Sequence, residues 1–178
     1  MTPSEIHNLC REHGIIDYTI NSMSISVDGS VRLGYRNLKS IPINFKEVSG
    51  YFNCGYNQLT SLKGCPETVG GDFYCYSNQL TSLKGCPEIV SGDFYCGGNQ
   101  LTNFDGLPEF FEQPIYLLGN PVFEIYCLFN QDPRCIYWIR EFDAIQGDEV
   151  VRDRLEEVYH TLGISIPKNI ELKEYILT

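Results

Sequence analysis

The chain has 178 residues, 43% of them hydrophobic and 20% charged, with a net charge of −10 and a pI near 4.7. This composition excludes a largely disordered chain and suffices for one domain with a buried core. An acidic balance without a basic stripe argues against nucleic acid and anionic lipid as partners; it fits either plain solubility or a basic protein partner.

The first residues carry no basic stretch followed by an apolar core, so no secretory signal is expected. No apolar run reaches the length of a membrane span. Residues 4–13 place Ile6, Leu9 and Cys10 on one side of a helix that Gly14 stops. Short strands are predicted at 18–20 and 23–27, and Asp28-Gly29 reads as a tight turn. Residues 1–30 are thus expected to form an N-terminal cap over an otherwise open solenoid end.

The next stretch repeats itself. NQLTSLKGCPE occurs at 57–67 and again at 78–88, and NQLTNFDGLPE follows at 99–109. The step is 21 residues each time. The unit extends upstream as Phe-x-Cys-x-x-Asn-x-Leu: Phe52, Cys54, Asn57, Leu59; Phe73, Cys75, Asn78, Leu80; Phe94, Cys96, Asn99, Leu101. Worn copies stand on either side, at Val31, Leu33 and Leu38 and at Ile115, Leu117, Asn120, Val122 and Ile125. The earlier one carries Arg36 where the Asn belongs. About five units are therefore expected over 31–126.

Alternation of Phe and Cys puts both on the inner face of a short strand. Parallel strands from successive units would stack about 4.8 Å apart. The amides of Asn57, Asn78, Asn99 and Asn120 then turn the chain and bond backbone groups that the bend leaves unpaired. Pro66, Pro87 and Pro108 favour a non-helical return path, extended or 3₁₀. The expected fold is an α/β-type solenoid of leucine-rich repeats.

Beyond 126 the period becomes helical. Asp132-Pro133 reads as a helix start, with Cys135, Ile136, Ile139 and Phe142 at helical spacing. Gly147-Asp148 breaks the pattern. A second helix is predicted from Val150 to Leu162 with Gly163 after it, and a last short one over 170–177. Residues 127–178 form the expected C-terminal helical cap.

The repeats resemble leucine-rich-repeat proteins of tailed bacteriophages, which carry N-Q-L-T-S-L-x-G-C-P-E units; the segment GNPVFEIYCLF at 119–129 resembles them as well. The resemblance implies a fold, a viral origin and a location in the cytoplasm of an infected bacterium. A more distant similarity to secreted bacterial ubiquitin-ligase effectors lacks their Cys-x-Asp motif, since Cys127 precedes Leu128-Phe129 and Cys135 precedes Ile136-Tyr137.

The strongest candidate site is the outer face of the sheet. Arg32, Asn53, Tyr74, Tyr95 and Tyr116 fall in one outward column, with Tyr51, Tyr56, Asp72, Tyr76 and Asp93 beside it, along with Gly55 and Gly97. Tyrosine offers a large rigid surface with a polar tip, which suits a protein partner; the same rings could equally serve only to stiffen the sheet. Most of the eight cysteines lie at repeat positions, without a Cys-x-x-Cys pair, and read as reduced, buried thiols. Glu149, Asp153, Glu156 and Glu157 near His160 read as a solvated helix face. No catalytic, metal or cofactor motif occurs. The expectation is a non-enzymatic binder of a host protein. A structural, self-assembling homo-oligomer or an acidic DNA mimic are the alternatives.

Overall fold

The computed structural model describes residues 1–107 and 114–178; Pro108 and Glu109, the end of the third repeat copy, lie outside them. Helix α1 (Pro3–His13) opens on a reciprocal cap. The Thr2 hydroxyl accepts from the Glu5 N–H, and the Glu5 carboxylate accepts from the Thr2 N–H. Gly14 ends the helix at φ +65°. Ile6 and Cys10 face inward and are fully buried.

Strands β1 (Tyr18–Asn21) and β2 (Ser24–Val27) form an antiparallel hairpin. Pairing runs from Tyr18↔Val27 to Asn21↔Ser24, which leaves only Ser22-Met23 for the tight turn. Asp28-Gly29, read as a tight turn after this strand, forms a bend that leads into the next one. It is held by the Gly29 N–H donating to Ser49 Oγ at 2.7 Å.

The repeats then wind through β3 (Val31–Arg32), β4 (Phe45–Val48), β5 (Phe52–Asn53), β6 (Thr68–Val69), β7 (Phe73–Tyr74), β8 (Ile89–Val90), β9 (Phe94–Tyr95) and β10 (Ile115–Tyr116). They sort into two sheets, β10-β9-β7-β5-β3 and β1-β2-β4-β6-β8. Apart from the β1–β2 hairpin, every neighbouring pair is parallel. The fold is a solenoid of short parallel strands. Its first sheet advances in register from Val31 to Phe52, Phe73, Phe94 and Ile115, four steps of 21 residues. The return path is extended, and its β-branched residues pair into the second sheet, Val48↔Val69↔Val90.

Between the sheets the inward residues form columns. Phe52, Phe73 and Phe94 are at most 1% exposed, with ring centroids 6.0 and 5.0 Å apart. Burying each contributes about 1.5–3 kcal/mol. Cys54, Cys75 and Cys96 fill the next column and are fully buried. All eight cysteines are free thiols.

After Asn120 the last unit leaves the solenoid path. Val122 and Ile125 are buried as the pattern requires, but Ile125 lies on helix α2 (Phe123–Leu128). Helix α3 (Arg134–Glu141) starts just after Asp132-Pro133, and Asp132 accepts the Arg134 N–H at 2.9 Å. Strands β11 (Ile145–Gln146) and β12 (Glu149–Val150) turn back through Gly147-Asp148. Helix α4 (Arg152–Leu162) ends at Gly163, φ +69°.

The helix expected over 170–177 does not form. That stretch ends in β13 (Ile176–Leu177), parallel to β12. The Ile176 N–H donates to Asp148 O at 2.8 Å and the Thr178 N–H to Val150 O at 3.0 Å, so the sheet claims the groups a helix would use. No helix among the described residues is long and apolar enough to cross a membrane.

Candidate protein-binding face

The face rests on a ladder of buried amides. Each repeat Asn is 6–9% exposed. Asn57 Oδ1 accepts the N–H groups of Arg36 and Leu38, both at 3.0 Å. The Oδ1 atoms of Asn78, Asn99 and Asn120 accept from Leu59, Leu80 and Leu101 at 3.0–3.1 Å. Each Nδ2 donates to a carbonyl of its own turn and to one of the turn before. For Asn78 these are Cys75 and Cys54, at 3.1 and 3.0 Å. The ladder pins the end of every strand, so the outward side chains sit on a rigid frame. In the first turn Arg36 replaces Asn and reaches back to cap the helix end, donating to His13 O at 3.2 Å.

On that frame Arg32, Asn53, Tyr74, Tyr95 and Tyr116 are neighbours in register. Arg32 and Tyr116 are exposed and the three between them are half-buried. The Tyr74, Tyr95 and Tyr116 rings stack nearly parallel, with centroids 4.8 and 4.4 Å apart at 10° and 5°. Asp72 and Asp93 stand two residues before Tyr74 and Tyr95 and accept their hydroxyls at 2.6 and 3.0 Å. The bond to Asp72, with burial second, lifts the Tyr74 hydroxyl to about 12; the bond to Asp93 likewise raises Tyr95. Asp72 also accepts the Asp93 N–H at 2.9 Å. These hydroxyls are thereby fixed as donors with defined directions.

Tyr51 meets Tyr74 edge to face at 6.1 Å, and the Arg32 guanidinium lies 5.1 Å from the Tyr51 ring centre. Tyr76 meets Tyr56 edge to face at 5.0 Å. Gly55, expected to face outward, is buried because the Tyr76 ring lies over it; a Cβ there would come within 3.0 Å of that ring. Sequence reasoning missed Tyr35. It is 72% exposed and stacks on Tyr56 at 4.2 Å, and it stands 21 residues before Tyr56, so the repeat spacing was enough to find it. Leu118, 70% exposed, was also missed, and it occupies the Tyr76 position two turns on.

The remaining candidates do not join this face. Glu149, Asp153, Glu157 and His160 are exposed on the C-terminal cap, and Glu156 lies 3.9 Å from Arg152 in an exposed ion pair. Burial pushes the Cys65 and Cys75 thiols well up, and that of Cys86 to about 12, which removes thiolate character. Among the described residues no cluster of His, Cys, Asp or Glu is arranged to hold a metal ion. Set against family models, curated proteins and solved structures, the chain matches none of them.

Proposed function

We propose that this chain is a protein-binding module that works without catalysis and engages its partner through the tyrosine-lined sheet face. The observation that supports this is the run Tyr74–Tyr95–Tyr116, partly exposed, parallel and anchored by Asp72 and Asp93. Tyrosines held this way lose little freedom on binding and offer both area and hydrogen bonds. The repeat units, similar to those of tailed bacteriophages, favour a phage-encoded protein whose target is a host bacterial protein.

The test is capture from bacterial lysate with tagged wild type beside a Tyr74→Ala/Tyr95→Ala variant, read by mass spectrometry. The reading expects one host protein enriched by the wild type and lost with the variant. Equal recovery by both forms would move the contact away from this face. No enriched protein, with self-association in light scattering, would favour an assembly role instead.

A further inference from the structure

Building on that reading, we propose that the Tyr116 end of the ladder holds an arginine side chain from an extended segment of a basic partner. Stacking uses up both faces of Tyr95, against Tyr74 on one side and Tyr116 on the other. Tyr116 belongs to the last strand of the sheet, is 44% exposed, and among the described residues has a ring neighbour on one side alone. Its outer ring face is a platform for one planar group.

The acidic partner for that group comes from an interruption in the repeat. Asp72 spends one oxygen on the Tyr74 hydroxyl and the other on the Asp93 N–H. Asp93 likewise accepts the Tyr95 hydroxyl. The residue one step on is Pro114, which has no N–H to donate, so the second Asp93 oxygen lacks the bond that Asp72 makes. Among the described residues the ladder therefore ends on a ring stacked on one side only, beside a carboxylate with one oxygen engaged. Leu118 follows two residues later on the same face, as Tyr76 follows Tyr74 at 6.1 Å, and offers apolar cover for a neighbouring side chain.

Charge selects the occupant. The opposite end of the face carries Arg32 and Arg36, whereas this end carries Asp93 within a chain of net charge −10. A cation is steered toward Tyr116. Arginine suits the site better than lysine because its guanidinium is planar, weakly hydrated and stacks on rings. The fold already uses this arrangement where Arg32 covers Tyr51. A row of nucleobases or sugars does not fit, since the inner ring faces are taken by one another.

The probe is the capped peptide Gly-Arg-Leu-Gly, titrated into labelled protein and followed by amide chemical shifts, beside its citrulline and lysine counterparts. The expected result is a saturable shift at Tyr95, Tyr116 and Leu118. Tyr116→Ala should weaken binding about tenfold, Asp93→Asn should weaken it about threefold, and citrulline should abolish it. Ile89→Ala on the opposite sheet serves as the folded control and leaves binding unchanged. Absence of a saturable shift, equal binding of the citrulline peptide, or shifts outside this end of the face would overturn the proposal. The two readings fail separately. If the captured host protein is lost with Tyr74→Ala/Tyr95→Ala but retained by Tyr116→Ala and Asp93→Asn, the face binds a partner without this arginine site. If all variants retain it, both readings fall.

Discussion

The side-chain amide of Asn78 donates to the carbonyl of Cys54, 24 residues earlier, at 3.0 Å. It thereby joins one turn of the solenoid to the turn before. The same atom donates to Cys75 O at 3.1 Å, and Asn78 Oδ1 accepts the Leu59 N–H at 3.0 Å. One buried side chain thus bonds backbone groups of two adjacent turns.

Replacing Asn78 by Ala strands the Leu59 N–H and takes one of two side-chain bonds from each carbonyl, Cys54 O keeping Asn57 and Cys75 O keeping Asn99. The orphaned N–H costs about 1–3 kcal/mol and each lost bond to a carbonyl about 0.5 kcal/mol, a total of about 3 kcal/mol. Urea unfolding should show the midpoint falling by that amount with an unchanged slope. A loss below about 1 kcal/mol would mean that water replaces the amide and the ladder is not what couples the turns.

This ladder is legible in the amino-acid order alone, because Asn recurs every 21 residues between inward Phe, Cys and Leu. So is the outward column, since alternation along a strand allows one assignment once the core residues are known. The second sheet is harder to foresee. Its strands, Thr68–Val69 and Ile89–Val90, are two residues long, too short for any period to show. The helix expected at 170–177 is absent for another reason: partners far away in sequence decide the conformation of this stretch. The Tyr175 hydroxyl donates to Thr102 O, 73 residues back, at 2.5 Å. Gly55 disappears beneath Tyr76 because a glycine leaves room for the neighbouring ring, which a pattern of outward positions does not reveal.

Gly92 tests how closely the turns approach. A Cβ there would lie 2.2 Å from Asp72 Oδ1 and 2.8 Å from both Asp72 N and Gly71 C. Moving the carboxylate alone cannot relieve the backbone contacts. Gly92→Ala should destabilise by about 1–3 kcal/mol through overpacking. It should also displace Asp72 and bring the Tyr74 hydroxyl down from about 12, visible as earlier tyrosinate absorbance in an alkaline titration. An alkaline titration identical to wild type would show that Asp72 keeps its place.

His13 makes the N-terminal cap sensitive to pH. It is 9% exposed, and its Nδ1 is buried with no hydrogen-bond partner among the described residues. Burial lowers its pKa from the ordinary 6.5; Glu12 opposes that shift and Arg36 adds to it. Above 6.5 both folded and unfolded chains hold it neutral, and it adds no pH dependence. Below 6.5 the unfolded chain takes the proton first, so stability falls as pH drops toward the folded pKa. Asp132 and Asp143 have pKa values below the ordinary 3.8, so their contribution is kept through this window and lost lower down. The unfolding midpoint should therefore fall between about pH 7 and pH 5.5, and His13→Leu should flatten that slope. A slope unchanged in the variant would assign the effect to another group.

Thiol reactivity tests the burial of the repeat cysteines against the cap. Cys127 is exposed on α2, whereas Cys54, Cys65, Cys75 and Cys96 are at most 8% exposed. Cys86 is half-buried, and its thiol donates to Gly106 O at 3.0 Å. Partial burial raises the Cys127 thiol, while the deeper burial of Cys86 holds that thiol near 12. Since the thiolate is the reacting species and must also be reached, native protein at about pH 8 should show one fast-reacting thiol under an aromatic disulfide reagent. Cys127→Ser should remove that fast phase. The remaining thiols should react together, at the rate of global unfolding, because the stacked turns expose the Cys54, Cys75 and Cys96 column as a unit. A second fast thiol in the variant would show that one turn opens alone, and its identity by peptide mapping would locate the weakest step of the solenoid.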